Sequence, residues 1–339
     1  MKSKPMTKFA ILALSLVLVA CAGGGSEEAG CPAIDGREIN VVATTPMIGE
    51  FVSQVGGENI NLTVLMPPEA NPHTYEPAPQ DAGTIAEADL VFYTGLLYEP
   101  AALVKLLENS ACSTDILSEV GESVFPIEFK EGGHDDHDDH DDEEGHDDHD
   151  DEEGHDDHEG HNHGAYDPHF WFDPSRVAYA AEYIESRLIQ FDPENESSYI
   201  SSADSFVSEL NDLTKQVSEL ISTVPSQNRK LITTHESLGY LEAKFGLEVL
   251  STIIPSLNSA NEISPSDLAG VIDVIEDNNV KVIFIESEAP SVYSETIVAE
   301  TGIKPVTGLY VETLKPGQSY SEFLISNVKL ITENLQDTD

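Results

Sequence analysis

Positive charge is scarce in this chain: 16 Lys and Arg face 63 Asp and Glu over 339 residues, a formal net charge of −47. So acidic a surface repels phosphate backbones, which excludes nucleic acid as a partner and favours solubility and the attraction of cations. Part of the imbalance is local, since residues 134–163 hold 17 acids, nine histidines and no Lys or Arg. Without them the charge is still −47 + 17 = −30, so the rest of the chain is acidic too. Apolar runs are short. The run "FAILALSLVLVA" at residues 9–20 covers twelve residues, where an ordinary membrane-spanning helix needs roughly 20. Cysteine is sparse, with three in the whole chain. No Ser/His/Asp set, nucleotide-binding glycine loop or HExxH helix accompanies the histidines, which argues against catalysis.

What is present begins with an export signal. Lys2, Lys4 and Lys8 precede the apolar run, the layout of a secretory signal peptide over residues 1–20. "LVAC" followed by "AGGGSEEAG" resembles a lipobox, where the signal is cut before the cysteine and the thiol of Cys21 is lipidated. Residues 21–36 would then be a flexible tether to the membrane, outside the cytoplasm. The other reading is a plain signal peptide cut nearby, with Cys21 incidental; the small residues before Cys21 and the Gly/Ser stretch after it favour the lipoprotein. Export places Cys31 and Cys112 where disulfides persist, so this even pair reads as one bridge, with two unpaired buried thiols as the alternative.

Beyond the tether, strand and helix patterns alternate. Residues 38–45, 60–66, 88–94 and 123–129 read as short buried strands, and 46–57, 79–88 and 98–110 as the helices between them. Such alternation predicts a parallel sheet covered by helices. In "DPSRVAYAAEYIESRLIQFDP", Asp173 is a helix N-cap with Pro174 at the first helical position. Between Pro193 and Pro225, Tyr199, Phe206, Leu210, Leu213, Val217, Leu220 and Ile221 recur at steps of three and four, the stripe of one long amphipathic helix. A second block follows, with strands over 229–234, 247–253 and 280–286 and helices over 264–279, 293–302 and 319–335. At 339 residues the chain is long enough for two cores. The expected fold class is α/β: a lobe over 37–192 interrupted by an insertion at 134–163, a linking helix over 193–225, and a lobe over 226–339.

The insertion repeats with a period of nine from residue 137: "HDDHDDEEG", "HDDHDDEEG", "HDDHEGHNH". A segment so charged and free of apolar residues cannot bury surface and is expected to be disordered. His134, His137, His140, His146, His149, His155, His158, His161 and His163 make it a weak, fast-exchanging chelator, or, on the plainer view, a solvated acidic linker without a metal role. Outside it only three histidines remain: His73, His169 and His235. Each falls past or near a strand end, where ligands bind in open α/β sheets, so the three can converge; satisfied core histidines are the alternative. Desolvated and close together, they would resist protonation when metal-free, whereas the carboxylates of the run would raise its imidazoles.

"NPHTYEP", "DPHFWFDP", "TTHESLGYL" and "ISPSDLAGVIDVIEDNNVKVIFIES" occur in consistent order from about residue 38 to the C-terminus. Together they resemble the metal-binding solute-binding lipoproteins of ABC importers, in particular the zinc-uptake branch, whose members also carry an acidic His-rich insertion. The resemblance implies two α/β lobes joined by one long rigid helix, with the metal in the cleft between them. It implies His73 and His169 as ligands from the first lobe and His235 from the second. Manganese and iron members resemble this pattern but usually carry a carboxylate where His235 stands. Three neutral imidazoles favour Zn²⁺, and carboxylate-rich sites suit Mn²⁺. The family pattern expected for a carboxylate fourth ligand falls on Pro290, so Glu286, Glu288 or water is expected to fill the position. Glu236 would orient a ligand or stand as an ordinary loop carboxylate. The implied function is zinc capture outside the cytoplasm, by a lipid-anchored monomer, for an ABC permease and its ATPase subunits. Manganese or iron binding on the same scaffold, an adhesion lipoprotein and a zinc hydrolase are the rivals.

Overall fold

The structure is a computed structural model and describes residues 31, 34, 36–129, 166–254, 264–288 and 292–336. The signal peptide, Cys21, most of the tether and the His-rich run, residues expected above to serve export, anchoring and metal capture, lie outside the described residues.

Two four-stranded parallel sheets organise the chain. The first contains β1 (Ile39–Ala43), β2 (Ile60–Val64), β3 (Leu90–Tyr93) and β4 (Leu117–Glu119), in the order β2-β1-β3-β4. The second contains β5 (Lys230–Thr233), β6 (Glu248–Thr252), β7 (Val282–Glu286) and β8 (Lys304–Leu309), in the order β6-β5-β7-β8. Each sheet therefore repeats the same order counted from its own first strand. The first lobe's helices are α1 (Pro46–Gly56), α2 (Pro79–Ala86), α3 (Ala101–Ser110) and α4 (Pro174–Phe191). After α5 (Glu196–Ser222) come α6 (Gly239–Phe245), α7 (Pro265–Asp277), α8 (Val292–Thr301) and α9 (Tyr320–Gln336).

The helices start where the sequence supplies caps. The Thr45 hydroxyl accepts the Ile48 amide at 3.2 Å and Pro46 opens α1; the Asp173 carboxylate accepts the Ser175 amide at 2.9 Å and Pro174 opens α4. Both caps satisfy amides that a helix start leaves without an intrahelical partner. The 27 residues of α5 give a rod of about 40 Å at 1.5 Å per residue. Its buried stripe runs through Tyr199, Ala203, Phe206, Leu210, Leu213, Val217 and Ile221. That stripe packs on α1 and α4 of the first lobe and on α9 of the second, so a single continuous core runs from Ile39 to Leu335. Cys31 and Cys112 form a disulfide across 81 residues of chain, tying the start of the described fold to the segment after α3.

Three differences from the sequence reading have physical causes. The strand expected at 123–129 is absent. Residues 121–124 form a 3-10 turn, Phe125 is left-handed (φ 52°), and only Glu128 bridges to Tyr166. Pro126 sits within that run and has no amide to donate to a ladder, and the short β4 lies earlier in the chain. Helix α6 and strand β8 went unread, the latter because Pro305 and Gly308 break its apolar pattern and only Val306 and Leu309 are buried.

Candidate metal centre

The carboxyl ends of both sheets face one another, and the three isolated histidines meet there. His73 lies in a 3-10 turn (Pro72–Thr74) beyond β2, where the Asn71 side chain accepts the His73 amide at 2.9 Å. His169 precedes a buried aromatic turn, Phe170–Phe172, that leads into α4. His235 follows β5 by two residues. The fourth member of the group is Glu312, three residues past β8.

One ligand atom from each of these four residues lies within 4.8 Å of the others. Glu312 Oε1 is 2.9 Å from His235 Nε2, 3.1 Å from His73 Nε2 and 3.4 Å from His169 Nε2. The His169 and His235 Nε2 atoms are 3.4 Å apart. Glu312 is wholly buried, and His169 and His235 are 2% and 3% exposed. Nitrogen lone pairs and a carboxylate held this close in a dry site suit a divalent first-row cation.

A second layer of carboxylates fixes two of the imidazoles, those of His169 and His235. Asp167 Oδ1 is 2.8 Å from His169 Nδ1 and accepts the His169 amide at 2.8 Å. Glu286, the last residue of β7, is hydrogen-bonded to His235 Nδ1, and it also accepts the His235 amide and the Ser237 hydroxyl, both at 3.2 Å. With Nδ1–H donated outward, the Nε2 lone pair points at the common centre, the arrangement that orients metal-binding histidines. The approach of α6 to Asp167 is tight: a Cβ on Gly239, the first residue of that helix, would stand 2.7 Å from Asp167 Oδ2.

The cluster's charges correct one expectation. Burial alone would lower the His169 pKa, but Glu312 and Asp167 outweigh it and hold His169 at about 9. Burial is likewise outweighed at His235, which Glu286 and Glu312 raise to about 10. These two imidazoles therefore hold protons more firmly than free histidine, the reverse of what desolvation by itself implies. Glu312 is correspondingly held well below the usual carboxylate range; burial opposes this, but His73 and His169 overcome it.

Neither acid expected in the fourth position occupies it. Glu286 stands behind His235. Glu288 Oε1 accepts the amides of Val311 and Glu312, both at 3.2 Å, and so braces the loop that presents Glu312. Burial and the charge of Glu312 push the Glu288 carboxyl up to about 8. Glu236 is outside the group of four.

Three aromatic residues join the lobes around this centre. Trp171 Nε1 donates to the Val311 carbonyl at 2.8 Å, and the Trp171 carbonyl accepts the Tyr320 hydroxyl at 2.7 Å. Tyr98 donates to Glu312 Oε2 at 2.8 Å. Burial, reinforced by Glu312, keeps its phenol well above the ordinary pKa, so it remains a donor. Tyr98 is delivered inward by a left-handed stretch, Gly95, Leu96 and Leu97 (φ 76°, 53° and 59°). Leucine rarely adopts that conformation, and here the Leu96 amide is held by Glu119 Oε1 at 2.9 Å and the Gly95 amide by Glu99 Oε2 at 2.9 Å.

Known proteins are similar to this chain in sequence and fold. The chain is 26% identical over 342 residues to "Manganese ABC transporter substrate-binding lipoprotein PsaA" of Streptococcus anginosus, covering 98% of this chain and 99% of that protein. It is 23% identical over 323 residues to "Manganese-binding lipoprotein MntA" of Halalkalibacterium halodurans, covering 95% and 94%. The solved periplasmic zinc-binding protein TroA of Treponema pallidum superposes with a TM-score of 0.72 at 21% identity, over 88% of this chain and 99% of that one, and shares the fold. Residues 41–334 match the family described as "Zinc-uptake complex component A periplasmic". With two parallel-sheet lobes, a long helix and a match along most of its length, the chain belongs to the zinc-uptake complex component A family.

Proposed function

We propose that this protein captures a divalent transition-metal cation outside the cytoplasm and delivers it to the permease and ATPase subunits of an ABC-type importer. One observation carries the reading: three imidazole nitrogens and one carboxylate oxygen meet in a buried site between two lobes. His73, His169, His235 and Glu312 are the proposed ligands, with Asp167 and Glu286 orienting two of them. The cation is cargo and no catalytic step is assigned to it. The same reading takes residues 37–192 and 226–339 as the lobes and 193–225 as their link. It anchors the chain, as a monomer, through lipid on Cys21, and two relatives that are themselves named lipoproteins support that anchor.

The cargo divides the support. Three nitrogen donors and the family description favour zinc. Both curated relatives are named for manganese, and a carboxylate completes the group. The balance supports manganese, alone or beside zinc, ahead of the zinc-only cargo that the histidines suggested. Calorimetric titration of the metal-free protein with each ion, alone and in competition, tests this. We expect one tight equivalent per chain. His235→Ala should weaken that phase by more than the roughly 10- to 100-fold typical of losing an outer hydrogen-bond partner of a ligand. Unchanged tight binding in His235→Ala would rule the site out.

A further inference from the structure

The two oxygens of Glu312 have different partners. Oε1 faces the three Nε2 atoms at 2.9, 3.1 and 3.4 Å, whereas Oε2 accepts the Tyr98 hydroxyl at 2.8 Å. That hydroxyl also lies 3.2 Å from the Glu312 carbonyl oxygen, so the carboxylate is the nearer acceptor. Tyr98 is 1% exposed, and its ring packs edge-on against His73 and Trp171, with centroids 5.0 and 5.3 Å apart. The phenol thus has little room to swing away, and Oε2 cannot turn toward the imidazoles without giving up this bond.

We propose that Tyr98 is a specificity-determining residue that confines Glu312 to one metal-facing oxygen and so limits the site to four protein donor atoms. The inference rests on the metal-capture reading above and adds to it a device for choosing the ion. Four donors suit zinc, which is stable in four-coordinate tetrahedral sites. Manganese prefers an octahedral, oxygen-rich shell and gains from a second carboxylate oxygen. Tyr98 therefore keeps zinc competitive with manganese at this site, on a scaffold whose two lipoprotein relatives are named for manganese.

The experiment compares the full-length wild-type chain with Tyr98→Phe, which keeps the ring packed against His73 and Trp171 and removes only the hydroxyl. Zinc and manganese affinities of the tight phase are measured by competition, and the coordination number of each bound ion by X-ray absorption. In Tyr98→Phe the zinc-to-manganese affinity ratio should fall about tenfold, the lower end of what a hydrogen bond to a charged group contributes. Bound manganese should gain one oxygen neighbour. A hydroxyl that merely helps to close the cleft would weaken both ions equally, and an unchanged ratio overturns the proposal. So does a changed ratio without the added oxygen. Absence of any tight phase in the wild-type chain overturns the metal-capture reading and this inference with it.

Discussion

Lone pairs on three Nε2 atoms and the charge of Glu312 converge on one point, and a positive species must sit among them for the site to stay closed. In the metal-free chain that role falls to protons, because His169 and His235 are held at about 9 and about 10 by the neighbouring carboxylates. The carboxylates thus bias these imidazoles toward the protonated form, whereas a cation requires the neutral imidazole. Metal binding near pH 7 should therefore release protons, and apparent affinity should rise as pH increases from about 6 to about 9. Calorimetry in buffers of different ionisation enthalpy counts the protons released; a count of zero would refute the assignment. The same residues show what sequence discloses. Three histidines outside the acidic run stood out because there were no others, and their places beyond strand ends could be read. Glu312 is one of 63 acids, in a loop after a strand whose pattern Pro305 and Gly308 hide, and nothing local distinguishes it.

Among the elements, helices were the more legible. Caps such as Thr45 and Asp173 and the three- and four-residue steps along α5 fix their starts and buried faces. Strand β4 was misplaced because it has three residues with only Ser118 buried, while the apolar residues of 123–129 imitate a strand around a proline. The disulfide acts at this scale as well, since it closes a loop 81 residues long on the first sheet. Loop-closure entropy puts its contribution at about 4 kcal/mol. Cys112→Ser should lower the unfolding free energy by an amount of that order in denaturant titration, with the metal centre intact. No change in the denaturation midpoint would show that the bridge is energetically idle.

For the whole molecule, the reading divides metal handling between a folded site and the acidic run. Deleting 134–163 should leave the tight phase unchanged and abolish weak, rapidly exchanging binding, as measured by zinc titration of the two forms. Equal loss of both phases would refute that division. The α5 rod and its continuous core argue against wide hinge opening between the lobes, because a break there would expose Phe206, Leu210 and Leu213 together. Release of the cation is then expected to involve the loops that carry His235 and Glu312 more than separation of whole lobes. Trp171 is placed to report it. It is the only tryptophan in the chain, its ring lies 5.5 Å from that of His169, and its indole hydrogen is donated to the residue preceding Glu312. The protein thus carries a built-in optical probe: with no label added, its ultraviolet emission should follow each loading and unloading of the site.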